Sequence, residues 1–329
     1  MPTVLIAPGP LRGKPGRFRE ILQAAGFDEF IEYPGDGTLN EAQLRESLPR
    51  CEAMLAGGEL LSAEILDLAP HLRAIARTGV GYDAVDIAAA TARKIPVIIT
   101  PGTNQESVAE HTLGLLLAVT RNLVVNDNLV KSGGWTRALI QPVRGRTLGL
   151  VGLGRIGRAV AVRASAFGMK IIAFDPLGAD TEFDTRHGIG RRTFDELLAE
   201  SDVVSLHLPL SPATRAIINR ETLAKMKPGS ILVNTSRGGL VNEADLYASL
   251  VSGHLFGAGL DVLVDEPPDP KNPLLTLSNV VISPHLGGID TKSMADMADL
   301  ASSCVAMLRR GEWPAGCVVN DELSHGWKW

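Results

Sequence analysis

Residues 147–175, TLGLVGLGRIGRAVAVRASAFGMKIIAFD, restrict what this chain can fold into more than any other stretch. Residues 148–151 are a short apolar run. Gly152, Gly154 and Gly157 follow in GxGxxG spacing, then helical patterning over 155–167 and a second apolar run, 171–174, that stops at Asp175. A strand, a tight turn, a helix and a parallel strand closed by a carboxylate predict one dinucleotide-binding βαβ unit.

Each glycine has a mechanical task in such a unit. Gly152 permits the turn, Gly154 lets the backbone approach a pyrophosphate, and Gly157 lets the helix pack closely on the strand. The helix start adds unpaired N–H groups and a partial positive charge. Asp175 lies 18 residues beyond Gly157 (175 − 157), close to the spacing at which a carboxylate accepts from ribose hydroxyls. It would repel a 2′-phosphate, and Pro176-Leu177-Gly178 brings no arginine to neutralise one, so NAD is expected rather than NADP.

At 329 residues and 45% hydrophobic composition, the chain is long enough for two packed α/β domains. A formal net charge of −5 argues against nucleic acid as a partner, because a phosphate-binding face would be basic. The 3 cysteines form no CxxC pair and no zinc-like spacing with histidine, so no metal is expected and a reducing, cytoplasmic setting fits. MPTVLIAPGP has too short an apolar stretch for a signal sequence, and no run reaches membrane-spanning length.

Before residue 100, apolar runs at 4–7, 53–56, 74–76 and 97–99 alternate with helical patterns at 17–25, 41–48, 62–68 and 86–92, the pattern of a small parallel α/β domain. Residues 105–125 read as one long helix, too apolar all round for a surface position. Residues 126–146 read as an arm, in which Trp135 serves either a subunit interface or the cap of a core. Further strands are expected at 203–208, 231–233, 258–263 and 280–282; with 148–151 and 171–174 they make six. A helix at 293–308 and a polar tail, 320–329, close the chain.

Ligands of open α/β sheets sit outside the carboxyl ends of the strands. There stand His207, Ser236-Arg237, Asp261 and His285. Oxidoreduction of a 2-hydroxy acid needs a cation for the carboxylate and carbonyl, and a proton donor and acceptor for the hydroxyl. Arg237 in NTSRGGLV offers a guanidinium fork for the first. His285 in ISPHLGG offers the second, since the imidazole titrates near neutrality. Glu266 in DVLVDEPP would orient that ring and favour its protonated form; Asp265 is the competitor that spacing does not exclude. His207 either borders the cofactor or is a hydrogen-bonded structural histidine.

The chain resembles the D-isomer-specific 2-hydroxyacid dehydrogenases, which include phosphoglycerate dehydrogenases and hydroxypyruvate and glyoxylate reductases. The resemblance rests on RTGVGYDAVD (77–86), TPGTNQESVAEHTLGLLLA (100–118), GLGRIG (152–157), NTSRGGLVNEADL (234–246), GLDVLVDEPP (259–268) and SPHLGG (283–288). It implies two Rossmann-like, doubly wound parallel-sheet domains: a flavodoxin-like substrate domain, 1–101 with 286–329, and an NAD-binding domain, 102–285. It further implies that Arg237 binds substrate, Glu266 partners the histidine and His285 is the acid/base. Backbone groups of Val80 and Gly81 would hold the substrate carboxylate, with Asn104 nearby. Gly152, Gly154, Arg155, Ile156, Gly157, Asp175, His207, Thr235, Asp261 and His285 would face the cofactor, Asp261 through the nicotinamide amide. A homodimer built on the NAD-binding domain is implied too.

One departure bears on substrate. Where phosphoglycerate dehydrogenases place an arginine in the loop after the second strand, Ala56-Gly57-Gly58-Glu59 stands here, so a substrate phosphate would lose a partner and meet a carboxylate. Nor is there the extra regulatory domain of the long phosphoglycerate dehydrogenases. Hydroxypyruvate, glyoxylate or another small 2-oxo acid is therefore the expected substrate class, with Arg12, Lys14 or a residue from a partner subunit as the substitutes for the missing cation. The alternatives are a phosphoglycerate dehydrogenase and a non-enzymatic, NAD-sensing protein like the C-terminal-binding-protein corepressors.

Overall fold

The computed structural model describes residues 1–178 and 180–329. It divides into two compact units, Met1–Asn104 with Gly288–Trp329, and Gln105–Gly287.

The first unit alternates β1 (Thr3–Ile6), α1 (Arg17–Ala24), β2 (Glu29–Ile31), α2 (Glu41–Ser47), β3 (Ala53–Ala56), α3 (Ala63–Asp67), β4 (Ala74–Arg77), α4 (Ile87–Ala92) and β5 (Val97–Ile98). The strands pair in parallel in the order β2-β1-β3-β4-β5, the flavodoxin-like 2-1-3-4-5 pattern. β1 and β3 are buried along their whole length, as strands covered by helices on both faces must be. The helix Thr291–Arg309 packs Met294, Met297, Ala301 and Val305 against that sheet.

Two expectations change here. β2, an edge strand of Glu, Phe and Ile, gives no apolar run and was not anticipated, so the loop at 56–59 follows the third strand rather than the second. The segment 320–329 is no loose polar tail. Asn320, 1% exposed, accepts from the Val97 N–H and donates to Ile95 O and Thr91 Oγ1. Trp329 stands edge-on to Phe27, with Arg309 over both rings.

The second unit begins with α5 (Gln105–Thr120) and α6 (Leu123–Lys131). The long helix expected over 105–125 is broken at Asn122, which takes a left-handed φ of 50°. α5 is mostly buried because Gly257 and Gly259 let it lie almost on the strand beneath; a Cβ at Gly259 would stand 2.9 Å from Leu115 Cβ. α6 has no buried residue. Trp135 is 76% exposed and caps no core in this chain.

There follow β6 (Thr147–Val151), α7 (Arg155–Ala166), β7 (Lys170–Phe174), α8 (Thr181–His187), β8 (Gly190–Arg191), α9 (Phe194–Glu200), β9 (Val203–Leu206), α10 (Arg220–Lys225), β10 (Ser230–Asn234), α11 (Glu243–Val251), β11 (Leu255–Leu260) and β12 (Val280–Ile282). All neighbours are parallel, in the order β12-β11-β10-β9-β6-β7-β8. Counted from β6 this is 3-2-1-4-5-6-7, a doubly wound sheet whose order reverses between β6 and β9. The strand beyond the expected six is β8, third in that count, a two-residue edge without an apolar run. β11 lies earlier than its expected range, because Asp261 already turns away from the sheet after Leu260.

Candidate active site

The reversal between β6 and β9 puts Gly152 and His207 side by side. The His207 N–H donates to Val151 O at 2.8 Å, and a Cβ on Gly152 would stand 2.7 Å from the His207 carbonyl. Gly152 also takes a φ of 103°, open to glycine alone. A Cβ on Gly157 would come within 2.3 Å of Gly152 O, whereas nothing lies within 4 Å of one on Gly154. Gly154 thus faces open space at the start of α7. That helix has no side-chain cap and no acidic residue in its first turn, with Arg155 exposed and Ile156 half-buried beside it. The four later helices α8 to α11 are each capped by a side chain: Asp180, Thr193, Asn219 and Asn242. The turn leaves its N–H groups to an anion.

Asp175 closes the turn from the other side. Its carboxylate accepts from the Leu153 N–H at 2.7 Å and the Leu177 N–H at 2.8 Å. The nearby arginines are engaged elsewhere: Arg191 grips both oxygens of Asp184, and Arg158 pairs with Asp180 at 2.7 Å.

His207 is partly buried, but its Nδ1 is enclosed without a hydrogen-bond partner, while Nε2 meets Ser205 Oγ at 2.9 Å. Desolvation pushes its pKa down to about 3, so the ring is neutral at working pH. The unfolded chain takes up a proton near 6.5 that the folded chain refuses down to about 3. The stability this group contributes is therefore present above 6.5 and lost as pH falls below it. Replacing His207 by Gln is expected to flatten the fall in Tm between about pH 7 and about pH 4; an unchanged slope in a thermal-melt series would assign the acid sensitivity elsewhere. The open cradle at Gly154 and the orphaned Nδ1 at the same strand ends fit a dinucleotide.

At the ends of β10, β11 and β12 the structure assembles the polar groups. Thr235, buried, shares a 2.9 Å hydrogen bond with Thr112. Arg237 has extended backbone and donates from Nη1 to Ser236 O at 2.6 Å. Gly238 then lies so close to the 263–264 backbone that a Cβ would overlap Leu263 O at 2.0 Å, which seats the Arg237 loop on the segment leading to Glu266. Glu266 accepts from the Leu263 N–H at Oε1 (3.1 Å) and meets His285 Nδ1 at Oε2, 2.6 Å away. Between the two acids of the DEPP segment, it is Glu266 that reaches the imidazole. With Nδ1 engaged, Nε2 is the nitrogen left to exchange protons. Both side chains are substantially exposed, 46% for His285 and 38% for Glu266, and so are accessible to reactants.

Asp261 was expected to face the cofactor amide. Its carboxylate, 1% exposed, accepts from Ser283 Oγ, the Leu286 and Gly287 N–H groups and His111 Nε2. Burial works against its charge, but those four donors outweigh it and hold the carboxyl below the usual range. His111 and Ser283 had not been singled out: no local spacing joins residues 111, 261 and 283.

In the first unit, Arg77 donates to Gly81 O (3.0 Å) and to Gly57 O, and Thr100 exchanges hydrogen bonds with Gly79, so the Val80-Gly81 turn is fixed from below. Asn104 is buried against Gly288. Glu59 does not confront a ligand as its sequence position suggested. It is 1% exposed and accepts from the Gly57 N–H (2.6 Å) and the Leu39 N–H (3.4 Å). Arg12 is buried too, donating to Tyr33 O and Gly37 O. Among the described residues no group of three or more His, Cys, Asp or Glu side chains could hold a metal ion.

Residues 113–287 match the family model described as D-isomer specific 2-hydroxyacid dehydrogenase, NAD binding domain. The chain belongs to that family. It is 43% identical over 296 residues to a D-3-phosphoglycerate dehydrogenase of Mycobacterium leprae, covering 87% of this chain and 55% of that protein. It is 41% identical over 285 residues to a glyoxylate reductase of Korarchaeum cryptofilum, covering 84% and 85%. The chain thus spans about half the length of the mycobacterial relative and most of the archaeal one. A solved D-lactate dehydrogenase from Aquifex aeolicus, complexed with NAD and lactic acid, superposes with a TM-score of 0.82 at 27% identity over 96% of this chain and 98% of that one. As expected for this family, the cofactor is NAD. No single helix among the described residues is long and apolar enough to cross a membrane.

Proposed function

We propose that this chain is an NAD-dependent dehydrogenase interconverting an unphosphorylated D-2-hydroxy acid, of the hydroxypyruvate or glyoxylate class, with its 2-oxo acid. The observation that carries the proposal is the 2.6 Å contact between His285 Nδ1 and Glu266 at strand ends of the glycine-turn sheet. Bound NADH supplies the hydride. His285 Nε2 delivers the proton to the carbonyl oxygen, and Glu266 holds the ring through Nδ1. Arg237 grips carboxylate and carbonyl oxygens with its fork. In this reading 1–101 with 286–329 is the substrate domain, where Val80, Gly81 and Asn104 hold the acid, and 102–285 is the NAD-binding domain. Gly152, Gly154, Arg155, Ile156 and Gly157 then take the pyrophosphate, Asp175 the ribose, and His207, Thr235 and Asp261 the nicotinamide side.

The preference for an unphosphorylated acid rests on the loop chemistry. Arg12, the candidate cation, is buried and spent on the backbone carbonyls of Tyr33 and Gly37, so it does not supply a partner for a phosphate. A phosphoglycerate dehydrogenase is the second reading, favoured by the mycobacterial relative. The exposed Leu123, Val124, Val130 and Trp135 of α6 and the arm fit a homodimer, which sedimentation would show. NAD chemistry and scattered cysteines fit a cytoplasmic setting.

The test is reduction of hydroxypyruvate and glyoxylate by NADH, with chiral analysis of the glycerate formed; D-glycerate supports the proposal, L-glycerate or no product refutes it. Cofactor choice is checked separately. Replacing Asp175 by Ala is expected to weaken NAD about 10- to 100-fold, the loss of one or two charge-assisted hydrogen bonds, with NADP much less affected. Equal losses in titrations of both would mean that Asp175 serves only the Leu153 and Leu177 N–H groups.

A further inference from the structure

His285 sits at a φ of 55°, the left-handed region that a side chain with a Cβ disfavours. Such a conformation persists only where its surroundings over-determine it. Those surroundings are Asp261 and its partners. The His285 N–H is shared between Asp261 O (2.8 Å) and Ser283 O (3.0 Å). The next two N–H groups, Leu286 and Gly287, both end on the Asp261 carboxylate, at 2.8 and 2.7 Å. A Cβ on Gly287 would stand 2.8 Å from Asp261 Oδ2, so the loop closes on the carboxylate only because glycine is there. The carboxylate is fixed in turn by Ser283 Oγ (2.6 Å) and by His111 Nε2, which reaches both Ser283 Oγ (2.7 Å) and Asp261 Oδ1 (3.1 Å) from α5.

We propose that His111 and Ser283 are positioning residues, which through Asp261 clamp the 283–287 loop in the one backbone conformation that aims His285 Nδ1 at Glu266. If Ser283 Oγ is removed, Asp261 loses a donor on Oδ1 and His111 loses the hydroxyl that orients it. The carboxylate can then rotate away from the Leu286 and Gly287 N–H groups, and only the His285 N–H bonds to Asp261 O and Ser283 O remain to hold the positive φ. The imidazole then leaves Glu266, whereas the path of the Arg237 loop is set separately, by the close approach of Gly238 to Leu263 O. The consequence for turnover rests on the dehydrogenase reading; the clamp does not.

The test compares Ser283→Ala and His111→Leu with Ser283→Thr and His111→Gln, which return a hydroxyl and an N–H donor. Amide exchange at Leu286 and Gly287, and the NMR signal of the His285 Nδ1–H, report the loop and the ring without any reaction. The clamp predicts roughly tenfold faster exchange and loss of that signal in the first pair, with recovery in the second. With NADH saturating, kcat for hydroxypyruvate should fall about tenfold while its KM changes less than about twofold. Unchanged exchange and an unchanged His285 signal in folded Ser283→Ala and His111→Leu would overturn the clamp. A disturbed loop with unchanged kcat would overturn its control of His285. If the wild-type protein reduces no 2-oxo acid, the dehydrogenase reading fails and the exchange and ring signals still decide the clamp.

Discussion

Replacing His285 by alanine is expected to lower kcat with hydroxypyruvate roughly 100- to 10,000-fold, the range lost when a positioned general acid is removed. The fold should tolerate the change, because the side chain is 46% exposed and its 2.6 Å contact is with Glu266 rather than with the core. Alanine also meets the same positive φ that histidine does, so no new backbone strain enters. NADH affinity should change little, since the glycine turn and Asp175 are untouched. Titration of NADH by fluorescence beside steady-state rates separates the two effects. A loss of only a few-fold in kcat with the protein folded would remove His285 from the role.

Replacing Arg237 by alanine should act on the substrate instead. Truncating one side of a desolvated charge pair costs about 2–5 kcal/mol, or roughly 30- to 4,000-fold in kcat/KM. Arg237→Lys keeps the charge but not the fork, so its loss should be intermediate. The loop itself should hold without the guanidinium, because its path is set by the close approach of Gly238 to Leu263 and by Asn234 Nδ2 donating to Arg237 O at 2.9 Å. Michaelis constants for hydroxypyruvate, measured with NADH saturating, check this; equal KM values in wild type and Arg237→Ala would mean that another cation binds the acid.

Much of the site was legible because its residues follow directly on apolar runs. Gly152, Asp175, Arg237 and His285 each stand where hydrophobicity stops, and in a parallel sheet those stops are the ligand-binding edge. The choice between Asp265 and Glu266 was not legible, since adjacent residues on a loop point in directions that only the fold decides. Edge strands β2 and β8 escaped notice because an edge needs no apolar run. The break between α5 and α6 escaped because Asn122 is unremarkable in a helical pattern until it turns left-handed. Glu59 and Arg12 misled for one shared reason: buried charges can be satisfied by backbone groups from distant loops, and no spacing along the chain announces that. His111 and Ser283 belong to the same class, 172 residues apart and joined by one hydrogen bond.

The most direct test of the central claim is the ratio of kcat/KM for NADH-dependent reduction of hydroxypyruvate to that for its 3-phosphate, with His285→Ala as control. The site described here predicts that the unphosphorylated acid is preferred at least about tenfold, one charge-assisted hydrogen bond's worth, and that the control slows both reactions roughly 100- to 10,000-fold. A preference for the phosphorylated acid would contradict it and make this chain a phosphoglycerate dehydrogenase with a cation that Arg12 does not supply.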